Sequence, residues 1–290
     1  MQLQDALEAF QVQLAADGRS EHTCKQYRRH VRGLIAWLEQ RSASLDVARL
    51  TPTIVAEFFS SDAARASVRG GAKKATSTNA QRTSLRCFLR WVHESGLAPT
   101  NAARLLRRAR CAPPPPKALR DDERKRLLAV LASAKGAEAA RDRMLVGLLL
   151  GCGVRIGSAL GLDVADVDIE HGELTLRKAK NDRPSTAVLP RAVATKLRAF
   201  IGPRTSGPLF LANERRVSTR HMQRRLAHWL AAAGIVGKSA HSLRHSFATA
   251  LLARTGDLRM VQAALNHASI ASTTVYAAVD RARLRSVVGC

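Results

Sequence analysis

Only two tyrosines occur in the 290 residues, and they keep different company. Tyr27 falls on a helical stripe with Val31, Leu34, Ile35 and Leu38, where an aromatic ring packs. Tyr276 lies in Ser272-Thr273-Thr274-Val275-Tyr276-Ala277-Ala278, soon after Leu265-Asn266-His267, and upstream of both comes His241-Ser242-Leu243-Arg244-His245. Positions i and i+3 share a helix face, so His241 and Arg244 turn into one cleft while Leu243, Phe247 and Leu251 pack the other way. Guanidinium, imidazole and phenol together suit transesterification at a phosphodiester. A phenol attacking phosphorus builds charge on the non-bridging oxygens, which guanidinium forks hold in fixed geometry. The resulting phosphotyrosine conserves the energy of the ester bond, so a strand is cut and rejoined without ATP. Proton transfer to and from the two ester oxygens falls to histidine and lysine. No cluster of carboxylates of the magnesium-binding type is evident, so neither metal nor cofactor is expected.

The composition points to the same substrate class. Lys plus Arg is 47 against 23 for Asp plus Glu, a formal net charge of +24, which implies a polyanionic partner. With 46% hydrophobic and 24% charged residues, disorder is a poor description of the chain. The longest apolar run, Met144 to Val154, is glycine-interrupted and falls short of the roughly twenty residues a bilayer needs. The chain starts as an amphipathic helix with no signal-peptide pattern, and its five cysteines (Cys24, Cys87, Cys111, Cys152 and Cys290) are scattered. A reducing cytoplasm and no structural zinc are therefore expected.

The elements that must position these residues divide at Pro113-Pro114-Pro115-Pro116, because four prolines favour an extended spacer. The expected domains are 1–112, a linker at 113–117, and 118–290. Residues 1–112 carry a charge of +9 (18 basic, 9 acidic) and residues 113–290 one of +15 (29 basic, 14 acidic), which suits contact with a polyanion from both. Before the prolines the pattern is helical: Leu3, Leu7, Phe10 and Leu14; the Tyr27 stripe; a start at Thr51-Pro52; a long helix over 78–94 ending at Gly96; and a short helix after Thr100. Arg82, Arg86 and Arg90 recur on that long helix, with Lys73-Lys74 before it; they are either a solvated face or phosphate contacts. After the prolines, helices are expected over 121–132 and 139–150, then a turn at Gly151-Cys152-Gly153 and another short helix. A hairpin of 173–176 with 186–189 flanks Lys180-Asn181-Asp182-Arg183, and the chain reads as helical again from Arg191. The fold class is mainly α with a small antiparallel β-sheet.

From about residue 117 to 290 the chain resembles the catalytic domain of the tyrosine recombinase (phage integrase) family. Gly151-Cys152-Gly153-Val154-Arg155-Ile156-Gly157-Ser158-Ala159-Leu160-Gly161-Leu162 resembles its first arginine box, His241-Ser242-Leu243-Arg244-His245 its second, and Leu265-Asn266-His267 with Tyr276 its last. The resemblance implies that Arg155 and Arg244 bind the scissile phosphate, His241 transfers protons, His267 hydrogen-bonds the phosphate and Tyr276 attacks. It also places a catalytic lysine on the small hairpin, where Lys178 and Lys180 are available. Lys180 is favoured because Lys180-Asn181-Asp182-Arg183 looks most like the family's turn. One position departs from the pattern: Ser158 stands where family members commonly carry Glu or Asp bracing the site. Residues 1–112 resemble the family's helical core-binding domain in helix number and length, although without a motif. The family's fold, an α+β catalytic domain after a helical clamp domain, and its homotetramer on paired double-stranded DNA sites are implied with it, the tail at 282–288 docking on a neighbour. Two competitors share the chemistry or the fold: a type IB topoisomerase-like nicking-closing enzyme and a catalytically silent DNA-binding protein, the latter favoured by Ser158.

Overall fold

Hydroxyl side chains start the helices of the first half. Ser20 Oγ accepts from the Thr23 amide at 3.3 Å, and Thr51 Oγ1 accepts from Ile54 at 3.3 Å with Pro52 opening the next helix, each satisfying an amide that has no intrahelical partner. A computed structural model describes residues 1–67, 70–111, 117–177 and 185–265, which fall into two units, Met1–Ala112 and Pro113–Cys290. The first holds α1 (Leu3–Ala16), α2 (Glu21–Gln40), α3 (Pro52–Ser60), the short α4 (Asp62–Arg65) and α5 (Ala75–Glu94). Its core is the expected stripes: Leu3, Leu7, Phe10 and Leu14 pack with Val31, Leu34 and Leu38 and with Leu85, Phe88, Leu89 and Val92. Phe10 is the joint, its ring 5.4 Å from Phe88, 5.3 Å from Trp91 and 6.1 Å from Tyr27. Tyr27 donates to Cys87 Sγ at 3.7 Å and belongs to this core.

Two expectations shift here. Helix α5 begins at Ala75, three residues before the expected start, because its first turn is polar and carries no apolar period. No helix follows Thr100. Asn101 Oδ1 accepts from the Ala103 amide at 2.9 Å, and Arg104 and Leu106 donate to Asn101 and Ala103 three residues back, so local bonds hold the segment as turns.

The second unit is built around α7 (Ala137–Gly151), buried at Met144, Leu145, Val146, Leu148 and Leu149. Around it pack α6 (Asp121–Ser133), α9 (Arg191–Ile201), α10 (Thr219–Ala232) and α11 (Ala240–Thr255); α8 (Ile156–Gly161) and α12 (Leu258–Ala264) are short. The expected hairpin is β2 (Glu173–Leu176) with β3 (Ser185–Val188), in register Leu176↔Ser185, and β1 (Val167–Asp168) extends it to a three-stranded antiparallel sheet. Helix does not run unbroken from Arg191: β4 (Leu211–Ala212) and β5 (Arg215–Arg216) form a second hairpin, turned by Asn213 and Glu214 at positive φ. The fold is thus mainly α with small antiparallel sheets. Among the described residues no helix is long and apolar enough to cross a membrane.

A buried carboxylate ties α7 to α10. Asp142, 1% exposed, accepts from Arg141 Nη2 at 2.9 Å, Arg225 Nε at 2.8 Å and Trp229 Nε1 at 2.8 Å. Removing one member of such a network leaves the rest buried without compensation. Asp142→Ala is expected to lower the unfolding free energy by about 3–5 kcal/mol, read from urea denaturation against wild type; a loss below about 1 kcal/mol would show the network to be dispensable.

Candidate active site

The first arginine is aimed by a turn that only glycine permits. At Gly153 φ is +63°, and an added Cβ would lie 2.2 Å from Cδ1 of Phe247, so both backbone strain and overlap exclude a side chain. At Gly151 an added Cβ would meet Val193 Cγ2 at 2.7 Å. These missing side chains let α9 and α11 close over the end of α7. The chain leaves the turn extended, and Arg155 becomes the N-cap residue of α8. Its half-buried guanidinium has no hydrogen bond to another described residue.

Helix α11 supplies the facing groups. Ser239 and Ser242 form a reciprocal capping box at its start, which fixes the first turn. Arg244, 4% exposed, donates from Nη1 to the Gly153 carbonyl at 2.6 Å and from Nη2 to the Leu265 carbonyl at 2.5 Å. The rings of His241 and His245 stand perpendicular with centroids 4.5 Å apart. His241 keeps part of its surface in solvent, yet its pKa lies below the ordinary 6.5, through desolvation first and then the charges of Arg244, Arg155 and Lys117. Burial, with His241, Lys117 and Arg244, holds His245 down at about 4. Both imidazoles are therefore neutral at pH 7.

Arg155, Ser158, Lys238, His241 and Arg244 line one cleft of about 800 Å³, with α10 forming its apolar wall and no carboxylate among the described lining residues. Three cations with none of the opposite sign make this a site for an anion. Ser158 is half-buried, and no hydrogen bond joins it to another described residue. Below the cleft Arg177 closes the foot of the β2–β3 hairpin, with Nε 2.6 Å from Asp166 and Nη1 3.3 Å from Asp163. Lys178, Lys180, His267 and Tyr276, together with the tail at 282–288, lie outside the described residues.

In the first unit the arginines of α5 part company. Arg82 lies over the ring of Phe59 at 5.3 Å and reaches Asn79 Oδ1 at 3.3 Å, whereas Arg86 and Arg90 are exposed and line a groove with Arg104 and Arg108. Arg104 and Arg108 escaped a reading based on helical period because their segment is not a helix. Lys238, too, carried no sequence signal.

The pattern of the phage integrase family matches residues 117–283, and that of the phage integrase N-terminal SAM-like domain matches residues 7–96. Tyrosine recombinase XerC of Mycobacterium tuberculosis (strain CDC 1551 / Oshkosh) is 35% identical over 302 residues, covering 98% of this chain and 97% of its own. The crystal structure of XerA recombinase superposes with a TM-score of 0.52 at 25% identity, covering 99% of this chain and 98% of that one. A lambda integrase tetramer bound to a Holliday junction shares the fold, with a TM-score of 0.72 at 18% identity over 93% of this chain and 78% of that one. The chain belongs to the phage integrase family and is an enzyme of the tyrosine recombinase class.

Two outcomes follow from the geometry. Gly153→Ala is expected to destabilise the chain by about 1–3 kcal/mol, whereas Gly157→Ala, with nothing within 4 Å of the added Cβ, stays neutral or gains up to about 1 kcal/mol. Thermal unfolding of both variants distinguishes a shape constraint at Gly153 from a general intolerance of alanine. Because the folded pKa of His245 is depressed, the stability its neutral ring brings is complete above pH 6.5 and is lost as pH falls toward about 4. That loss is on the order of 3 kcal/mol. An NMR titration should find His245 changing charge near pH 4 and His241 below 6.5; a midpoint at or above 6.5 for either contradicts the described packing.

Proposed function

We propose that this chain recombines double-stranded DNA at specific sites, cutting and rejoining strands through a 3′-phosphotyrosine at Tyr276 without metal or ATP. What supports the reading is the convergence of Arg155, His241 and Arg244 on a cleft whose charged lining residues, among those described, are all cations. Arg155 and Arg244 hold the non-bridging oxygens of the scissile phosphate and stabilise the charge that grows there in the pentacoordinate state. His241, neutral at pH 7, accepts the proton of the Tyr276 phenol as its oxygen bonds to phosphorus. The bond from phosphorus to the 5′ oxygen breaks, and that oxygen takes a proton from Lys180. His267 donates a hydrogen bond to the same phosphate. Rejoining is the reverse: the 5′ hydroxyl of a partner strand gives up its proton, attacks phosphorus and returns the phenol. In this reading residues 1–112 bind the core DNA site, 118–290 are catalytic, and four copies assemble on paired sites in the cytoplasm.

A second reading rests on one residue. Ser158 brings no charge to the place beside Arg155, and a catalytically silent DNA-binding protein would tolerate that.

The test uses nicked suicide duplexes from the DNA flanking the gene, scored for a protease-sensitive covalent protein–DNA band. Wild type is expected to form the band, and Tyr276→Phe to bind equally well without forming it. Arg155→Ala should slow its formation about a hundred- to a thousand-fold while keeping most affinity, because binding is spread over many phosphates. A band from Tyr276→Phe, or a wild-type rate from Arg155→Ala, overturns the assignment. Tight binding with no band from wild type selects the silent protein.

A further inference from the structure

Lys117 is the first described residue after the proline run, and it is exposed. The two residues that follow it are fastened to the catalytic side of the second unit. The Ala118 carbonyl accepts from Lys238 Nζ at 2.7 Å, and the Leu119 amide donates to Ser246 Oγ at 2.7 Å. Ser246 in turn donates to the Ser242 carbonyl at 2.9 Å, and Leu119 is buried in the core. The strap formed by residues 117–119 therefore runs beside the first two turns of α11, the helix of His241, Arg244 and His245. From that position the Lys117 charge reaches both imidazoles.

None of Asp121, Asp122 and Glu123, the acids nearest in sequence, forms an ion pair with it. Asp122 is engaged by Arg120 at 3.2 Å and Arg126 at 2.8 Å, and Glu123 accepts from the Arg120 amide at 2.8 Å. Among the described residues Lys117 makes no ion pair or hydrogen bond. A fixed backbone thus holds an exposed ammonium beside α11, whose His241 and Arg244 line the cationic cleft. No described acid pairs with that charge, so an anion passing beside α11 would offset it. Lysine meets phosphate as a point charge on a flexible stem, well suited to a backbone contact outside the guanidinium forks.

We propose that Lys117 grips the backbone phosphate of DNA next to the scissile one, so that the strap seats the strand over Arg155, His241 and Arg244. This rests on the DNA strand-transfer reading above and assigns Lys117 a positioning role, apart from the reacting atoms.

The test compares wild type, Lys117→Ala and Lys117→Arg on one suicide duplex and on versions carrying a single neutral methylphosphonate at each phosphate flanking the scissile one. Because the side chain is exposed and unbonded, the variants should melt with wild type. Lys117→Ala is expected to lower the slope of log affinity against log salt by about one and to slow covalent adduct formation several-fold, with Lys117→Arg restoring both. On the duplex whose contacted phosphate is neutral, wild type and Lys117→Ala should become equal. The proposal falls if Lys117→Ala matches wild type at every salt concentration, or if its deficit persists unchanged on every methylphosphonate duplex. Failure of wild type itself to form adduct would instead overturn the strand-transfer reading.

Discussion

A guanidinium withdrawn from water between two backbone carbonyls is the interaction on which the described part of the site depends. Arg244 joins the turn after α7, 91 residues earlier, to the end of α12, 21 residues later. Its charge strengthens both bonds, and their acceptors are carbonyls that chain folding alone delivers. Anything that moved the Gly153 carbonyl would move Arg244 with it, which is why the packing of Phe247 on a bare Cα reaches into the chemistry. The glycine turn, the ring over it and the arginine beneath it are one mechanical part.

Charge is segregated around that part. The buried and half-buried acids Asp142, Asp163 and Asp166 of the second unit are committed elsewhere: Asp142 inside the helical core, Asp163 and Asp166 at the sheet, where Asp163 also pairs with Arg216. The cleft keeps its cations, and each imidazole is held neutral by burial first and then by the charges beside it. An environment that favours an anion and disfavours imidazolium is what a neutral proton acceptor next to a phosphate requires.

Much of this was legible in the sequence because it is local. The stripes of α1, α2 and α5 follow the helical period, and His241 and Arg244 share a cleft with Arg155 as their boxes suggested. The start of α5 was hidden by a polar first turn, the turns after Asn101 by side-chain bonds that imitate a helix start, and the β4–β5 hairpin by strands of two residues, too short to show a period. Lys238 bonds Ala118 across 120 residues, and Ser246 bonds Leu119 across 127. Contacts of that span leave no mark on residue spacing, so the strap beside α11 emerged only in three dimensions. Gly153 was read as a turn, but its fit to Phe247 is a matter of shape that composition does not carry.

The hairpin foot has a consequence for descent. Both legs are held independently of the connection between them, by the Leu176↔Ser185 register on one side and by Arg177 on Asp166 and Asp163 on the other. The cost of closing a loop grows only slowly with its length, by about 0.6 kcal/mol for each doubling. A change of chain length between the legs therefore costs folding little. Relatives of this chain should differ in length between these legs more freely than at the glycine turn, where one methyl group is already too many.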